Sequence, residues 1–249
     1  MFPVVGILQG RPTGWSPGMD FLDLTLSPVE SNLALDEALL RAADAGELGE
    51  VLRIWEVPQL AVVVGRASRI DDEVHRQACM EMKVPIVRRC SGGCAVVIGP
   101  GCLLYSMVFN LKDRPFWRKV DRLHNDVRTR LIEGLRESGL NVTAAGTSDL
   151  ALVCDSSEGS LPRKISGNSV RFGRDHVLYH GTLLYAFELE RLPQLLKAPP
   201  REPEYRMGRG HELFVSNAPS ARVDLVTMLR RIWGADRLLP DWPQERTRI

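Results

Sequence analysis

RRCSGGCAVV, residues 88–97, places two arginines ahead of a Ser-Gly-Gly that stands between two cysteines. VPIVRR leads into it and CAVVI leads out, so the stretch reads as a loop between two strands. Gly92 and Gly93 allow positive φ and let a ligand approach the backbone with no Cβ in the way. Such a loop can aim N–H groups at a carboxylate, carbonyl or phosphate, and an arginine beside it adds a charge-assisted fork. The simpler reading is a Gly-Gly β-turn with two buried thiols, and the stretch by itself leaves both open.

The chain around this loop is 249 residues long, which fits one large domain or two small ones. At 44% hydrophobic and 25% charged it can build an ordinary globular core. Lysine and arginine total 32 against 31 acidic residues, and this balance supplies no global field for gripping nucleic acid or a membrane surface. Apolar runs such as LAVVVG, residues 60–65, fall far short of the roughly 20 residues of a membrane helix. The amino terminus has no charged region leading into an unbroken apolar stretch, so the expected location is the cytoplasm. Cys79, Cys90, Cys94, Cys102 and Cys154 are odd in number and form no CxxC, which predicts reduced thiols and no metal centre.

Residues 1–19, rich in Gly and Pro, read as an extended arm, and a single domain is expected over 20–236 with a tail over 237–249. Ser27, Pro28 and Glu30 form a capping-box pattern ahead of a helix whose Leu35, Ala38, Leu39 and Ala42 share one face. VLRIW (51–55) and LAVVVG (60–65) read as a hairpin, and residues 71–82 as a helix with acids at its positive end. CLLYSMVFNL after the GPG turn is a strand, and a longer helix is predicted from Trp117 to Ser138. LALVC (150–154), KISGNSVRF (164–172) and HVLYHGTLLYAF (176–187) are further strands, followed by a helix over 221–233. Strands and helices mix without a regular βαβ alternation, which predicts an α/β fold with a mixed sheet.

Two later segments carry chemistry. Lys164 opens a strand with Ser166 and Gly167 behind it, and it either points to solvent or supplies a compact positive charge to a cleft. His180, Gly181 and Thr182 begin an apolar strand, where the imidazole is either a hydrogen-bonded structural group or a base.

Taken in order, NLALDEALL, VVVGRAS, RRCSGGCAV, SDLAL, RKISG and HGTLL resemble the lipoate protein ligase and octanoyltransferase family of the biotin/lipoate protein ligase superfamily. The resemblance runs from about Leu22 to Asp236. It implies a fold like class II synthetase catalytic domains, with a mixed sheet around a fatty-acyl tunnel. On this resemblance Arg88, Arg89, Ser91, Gly92, Gly93 and Cys94 wrap the acyl group and its activated carboxylate. Lys164 is the implied catalytic residue, Asp149 matches an acidic position of the ligases, and Ser166 and Gly167 follow the lysine. His180, Gly181 and Thr182 match a strand start that lies along the adenylate. The implied co-substrates are ATP with Mg, the implied substrate is lipoate or octanoate, and the acceptor is a lysine of a lipoyl-domain protein. The nucleophile comes from that partner, so Lys164 need form no covalent bond. On this resemblance the smaller carboxy-terminal domain of the long ligases is expected to be absent, and a separate accessory chain is a candidate partner.

The chain departs from the family pattern at Ile98, where a histidine is expected, and at Val177 and Asp149, where the thioester-using transferases carry cysteine. Three readings follow. An ATP-dependent ligase rests on Lys164 and the Ser-Gly-Gly loop. An octanoyl or lipoyl transferase would use Cys154, carried inward by DSSEGSLPR, against the plainer reading of that thiol as packed. A non-catalytic acyl-binding member is the reading that Ile98 motivates.

Overall fold

The computed structural model describes residues 18–153 and 161–247, so the arm expected over 1–19, apart from its last two positions, lies outside the described residues, as does Cys154. The fold is α/β with a mixed main sheet. Its six strands run in the order Asn168–Phe172 (β10), His176–Leu184 (β11), Cys102–Asn110 (β6), Val51–Trp55 (β2), Asp20–Asp23 (β1) and Arg237–Leu238 (β12). β10, β11, β6 and β2 pair antiparallel, whereas β1 runs parallel to both β2 and β12. A second sheet has the order Ile86–Arg88 (β4), Ala61–Val64 (β3) and Val96–Ile98 (β5). A third has Val142–Ala145 (β7), Asp149–Leu152 (β8) and Arg163–Ser166 (β9), all antiparallel.

Side-chain alternation along β6 and β11 gives the main sheet two different faces. Leu103, Tyr105, Met107 and Phe109 pack under helices Val120–Glu137 (α4) and Arg222–Trp233 (α7), through residues such as Leu131, Leu135 and Leu229. On the other face, Val108 and Leu178 meet Leu35 and Leu39 of helix Val29–Asp44 (α1), and Leu104 and Leu184 meet the second sheet. That second face carries the site. Among the described residues no helix is long and apolar enough to cross a membrane.

Four local expectations are corrected. β2 and β3 form no hairpin: all five β2 residues are buried, its edges are taken by β1 and β6, and β3 becomes the centre of the second sheet. The helix expected over 71–82 is split into Ile70–Glu73 (α2) and Arg76–Glu81 (α3), because Val74 bridges to Leu196 and His75 N–H donates to Leu195 O. KISGNSVRF bends at Gly167 into β9 and β10, which join different sheets. The capping box at Ser27 is not made: Pro28 is the N-cap, and Asn32 instead accepts from Leu26 N–H and donates to Leu26 O, each at 2.8 Å.

His124 of α4 is buried with Nδ1 3.3 Å from the Tyr179 hydroxyl. Burial, aided by the Arg128 charge, lowers its pKa from 6.5 to about 4. The folded protein therefore keeps His124 neutral in a range where the unfolded chain binds a proton. This contribution to stability is complete above pH 6.5 and declines towards pH 4. Between pH 7 and pH 5, His124→Leu is expected to lose about 2 kcal/mol less stability than the wild type in urea unfolding. Parallel losses in the two proteins would remove His124 as the cause.

Candidate active site

A cavity of about 620 Å³ opens between the second face of the main sheet, the β4–β3–β5 sheet and the edge of the third sheet. Its inner part is apolar, built by Trp55, Leu104 and Leu184 from one sheet and Val63, Val97 and Ile98 from the other. Ile98 is fully buried there, where its side chain extends the apolar wall. Another part of the wall is polar, with Lys164, Asp149, Cys94, Asp36, His180 and the backbone of Gly93. An apolar interior with a few convergent polar groups suits an amphiphilic small molecule.

Lys164 reaches this polar end because β8 and β9 are antiparallel with an irregular register between Leu150 and Ala151. Its Nζ lies 2.9 Å from Asp149 Oδ1, and the Tyr205 hydroxyl donates to Asp149 Oδ2 at 2.8 Å. Burial, followed by the Asp149 charge, pushes the Tyr205 phenol far up, so it stays a neutral donor. Gly167 leaves room for the ammonium: a Cβ there would sit 2.9 Å from Lys164 Nζ. Ser166, Gly167, Gly181 and Thr182 line the same end of the cavity, and Thr182 N–H donates to Gly167 O.

The Ser-Gly-Gly stretch is not a β-turn. β4 and β5 flank β3 on opposite edges, so residues 89–95 cross over the end of β3 and Gly93 adopts φ 88°. Arg89 is buried inside this crossover, where Nη2 donates to Gly92 O at 2.5 Å and Cys94 O at 2.9 Å, and Nη1 donates to Val63 O at 3.1 Å. Burial lowers its pKa to about 10, against the pull of Cys94, Glu73 and Cys90. Ser68 Oγ donates to Gly93 O at 3.1 Å, and Ser169 Oγ to Gly92 O at 3.0 Å. The carbonyls of the loop are thus spent on the protein. Among the described residues no acceptor pairs with the N–H groups of Gly92, Gly93 or Cys94. That is the polarity of an anion-binding nest.

Strand parity separates the two arginines: Arg89 turns inward, and Arg88 is exposed, with Nη1 donating to Gly65 O at 2.5 Å and Ser68 O at 3.0 Å. Arg88, Ser91 and Gly92 are not on the cavity wall. Arg88 fixes the neighbouring turn, and Arg89, which lines the cavity, also holds the loop from within. Neither cysteine of the stretch has a favoured thiolate. Burial and the charges of Glu37 and Asp36 push Cys90 up to about 12, while burial and Glu73 raise Cys94. Among the described residues no group of three His, Cys, Asp or Glu side chains could hold a metal ion.

Several contributors went unmarked in the motifs. Glu73 accepts from Ala95 N–H at the end of the loop, and Asp36 lies on the cavity wall with Oδ2 3.3 Å from Nδ1 of the motif residue His180. Gly65 supports the loop directly, since an added Cβ would overlap the Gly93 carbonyl oxygen. Gly65→Ala is therefore expected to displace the loop and cost about 1–3 kcal/mol of stability. Urea unfolding checks this, and unchanged stability would show that the loop takes up the methyl group without strain.

A profile of the lipoyl protein ligase A/B catalytic domain matches residues 28–217. Among solved structures, the chain is similar to a bipartite lipoate protein ligase from Thermoplasma acidophilum, studied with its E2 lipoyl domain, at 21% identity and TM-score 0.75 over 93% of this chain and 89% of that one. A lipoate-protein ligase A crystallised with ATP matches at 21% identity and TM-score 0.71, covering 92% of this chain and 91% of that one. P. falciparum LipL1, solved with lipoate, matches at 17% identity and TM-score 0.63 over 91% of this chain and 65% of that one. These structures share the fold, and the profile match carries the family.

Proposed function

The chain belongs to the lipoyl protein ligase A/B catalytic-domain family, and from that premise we propose that it activates lipoate or octanoate with ATP and passes the acyl group to a lysine of a lipoyl-domain protein. The observation that carries this reading is that Lys164 and the unpaired N–H groups of Gly93 and Cys94 belong to the polar end of one cavity whose interior is apolar. In this reading the acyl chain occupies the wall of Val63, Val97, Ile98 and Leu104, and the carboxylate stops beside Lys164 and the loop.

The chemistry divides into two displacements. A carboxylate oxygen attacks the α-phosphorus of ATP and pyrophosphate leaves. The acceptor lysine amine then attacks the acyl carbon, AMP leaves, and the amine loses a proton. Negative charge grows on phosphoryl oxygens in the first step and on the carbonyl oxygen in the second, where a fixed ammonium and fixed N–H dipoles stabilise it without reorganising. Asp149 orients Lys164 Nζ, and Tyr205 fixes Asp149. Mg would enter on the nucleotide phosphates, in keeping with its habit of relying on substrate oxygens rather than a protein cage. An accessory chain, in this reading, completes activation.

The test gives the purified protein a lipoyl domain with either lipoate and ATP or an octanoyl-carrier thioester, and follows the acceptor's mass. The proposal expects a lipoyl-sized increase that requires ATP and survives Cys154→Ser. An increase driven by the thioester and lost in Cys154→Ser would establish the transferase reading. No increase with either donor, with candidate accessory chains added, would leave the non-catalytic reading.

A further inference from the structure

Beside the loop, six side chains from five separate parts of the fold form one hydrogen-bonded network, a row of five with Ser106 joining at Asp36. Arg89 Nε lies 3.2 Å from Ser91 Oγ, Ser91 Oγ lies 2.5 Å from His180 Nε2, and His180 Nδ1 lies 3.3 Å from Asp36 Oδ2. Arg53 Nη1 donates to Asp36 Oδ1 at 2.6 Å, and Ser106 Oγ donates to Oδ2 at 2.6 Å. Arg53, Asp36 and Ser106 are each at most 1% exposed, so none of these bonds competes with bulk water.

The donors and acceptors permit one arrangement with a neutral imidazole. Arginine only donates, so Ser91 Oγ accepts from Arg89, and an ionised carboxylate only accepts, so His180 Nδ1 carries a proton. Nε2 is then the acceptor, and the Ser91 hydroxyl donates to it. Burial disfavours ionisation of Asp36, but Arg53 first, then His180 and Ser106, lower its pKa below the ordinary 3.8. The order of groups is that of a serine–histidine–aspartate nucleophile. Ser91, however, is 1% exposed and off the cavity wall, and its oxygen is already bonded to Arg89. Ser91 therefore ends the row in the loop, while Asp36, Ser106, His180 and Arg89 also line the cavity wall.

We propose that Asp36, held by Arg53, is a positioning residue that acts through His180 and Ser91 to set the geometry of the Gly92–Cys94 nest. The proposal takes the acyl-adenylate reading of the cavity for its kinetic consequence, while its structural content stands without that reading. Helix α1 and strands β2, β6 and β11 thereby add to the hold that Arg89, Ser68, Ser169, Glu73 and the Arg66 N–H already have on the loop.

The experiment uses the full chain labelled with 15N-histidine, with the His180 ring assigned by difference from His180→Gln. The expected spectrum has Nδ1 protonated and Nε2 bare. Ser91→Ala, which leaves the Asp36–Arg53 pair intact, should shift the 92–94 amide resonances of a uniformly 15N-labelled sample and raise KM for lipoate in ATP–pyrophosphate exchange, with candidate accessory chains added, by about tenfold, with kcat changed less than about twofold. Asp36→Asn should shift the ring signals and produce the same kinetic change, and the double variant should be no worse than the poorer single one, because both break a single row. A protonated Nε2, or additive effects of the two substitutions, would overturn the proposal. Labelling of Ser91 by a fluorophosphonate with loss of kcat would overturn it in favour of a nucleophile. If the wild type shows no lipoate-dependent ATP–pyrophosphate exchange with candidate accessory chains added, the ligase reading fails by itself, and the ring signals and amide resonances still decide the row.

Discussion

Lys164→Ala is expected to lower kcat/KM for acyl transfer by about 10²- to 10³-fold, the cost of removing one preorganised group from a site of developing negative charge. The fold should survive. Lys164 is partly exposed at the cavity mouth, and Asp149 would keep the Tyr205 hydroxyl on Oδ2 after the ammonium is gone. Arginine should not rescue the loss. Its planar fork needs more room than an ammonium that already sits against Gly167, and it would be drawn to Asp149 as a bidentate pair. Time courses of acceptor mass, with thermal unfolding alongside, check both halves. Full activity in Lys164→Ala would remove the lysine from the mechanism, and loss of activity together with the fold would reassign it to structure.

Arg53→Met is expected to cost about 3–5 kcal/mol of stability, because it leaves the Asp36 carboxylate buried with its strongest partner gone. For a chain of this size that corresponds to a fall of about 6–20 °C in the unfolding midpoint. Arg53 also donates to the carbonyls of Leu24 and Asn32, so those groups lose partners as well. The double variant Arg53→Met/Asp36→Leu should recover a large part of the loss, since no unpaired charge then remains in the core. Urea unfolding of the wild type and both variants measures this. A single variant within about 1 kcal/mol of the wild type would mean that water reaches the pair after all.

Much of this architecture is legible in the sequence, and the parts that are not share a cause. The helices at 29–44, 120–137 and 222–233 carry a 3.6-residue rhythm that survives packing, and β6 and β11 are long enough to be unambiguous. VLRIW and LAVVVG announce burial on both faces but contain nothing that names a neighbour, and proximity in sequence misdirects them into a hairpin. The break at Val74 is set by Leu196, more than a hundred residues away. Within the site, Lys164 and Asp149 are visible as motif positions, and parity along β4 separates Arg89 from Arg88. Tyr205 carries no local signal, because what ties it to the site is a contact with Asp149, far away in the sequence. Asp36 and Arg53 did carry one: a carboxylate among the apolar positions of α1, and a lone arginine inside VLRIW. Two opposite charges buried in separate apolar elements must find each other, and here they do so beside the Ser-Gly-Gly loop.

The most direct test of the central claim is a crystal structure of the protein with a non-hydrolysable lipoyl-adenylate analogue. The account predicts the acyl chain along Val63, Val97, Ile98 and Leu104, and the carbonyl and phosphate-mimicking oxygens within hydrogen-bond reach of Lys164 Nζ and the N–H groups of Gly93 and Cys94. An analogue bound elsewhere, or bound here with Lys164 still directed only at Asp149, would contradict it.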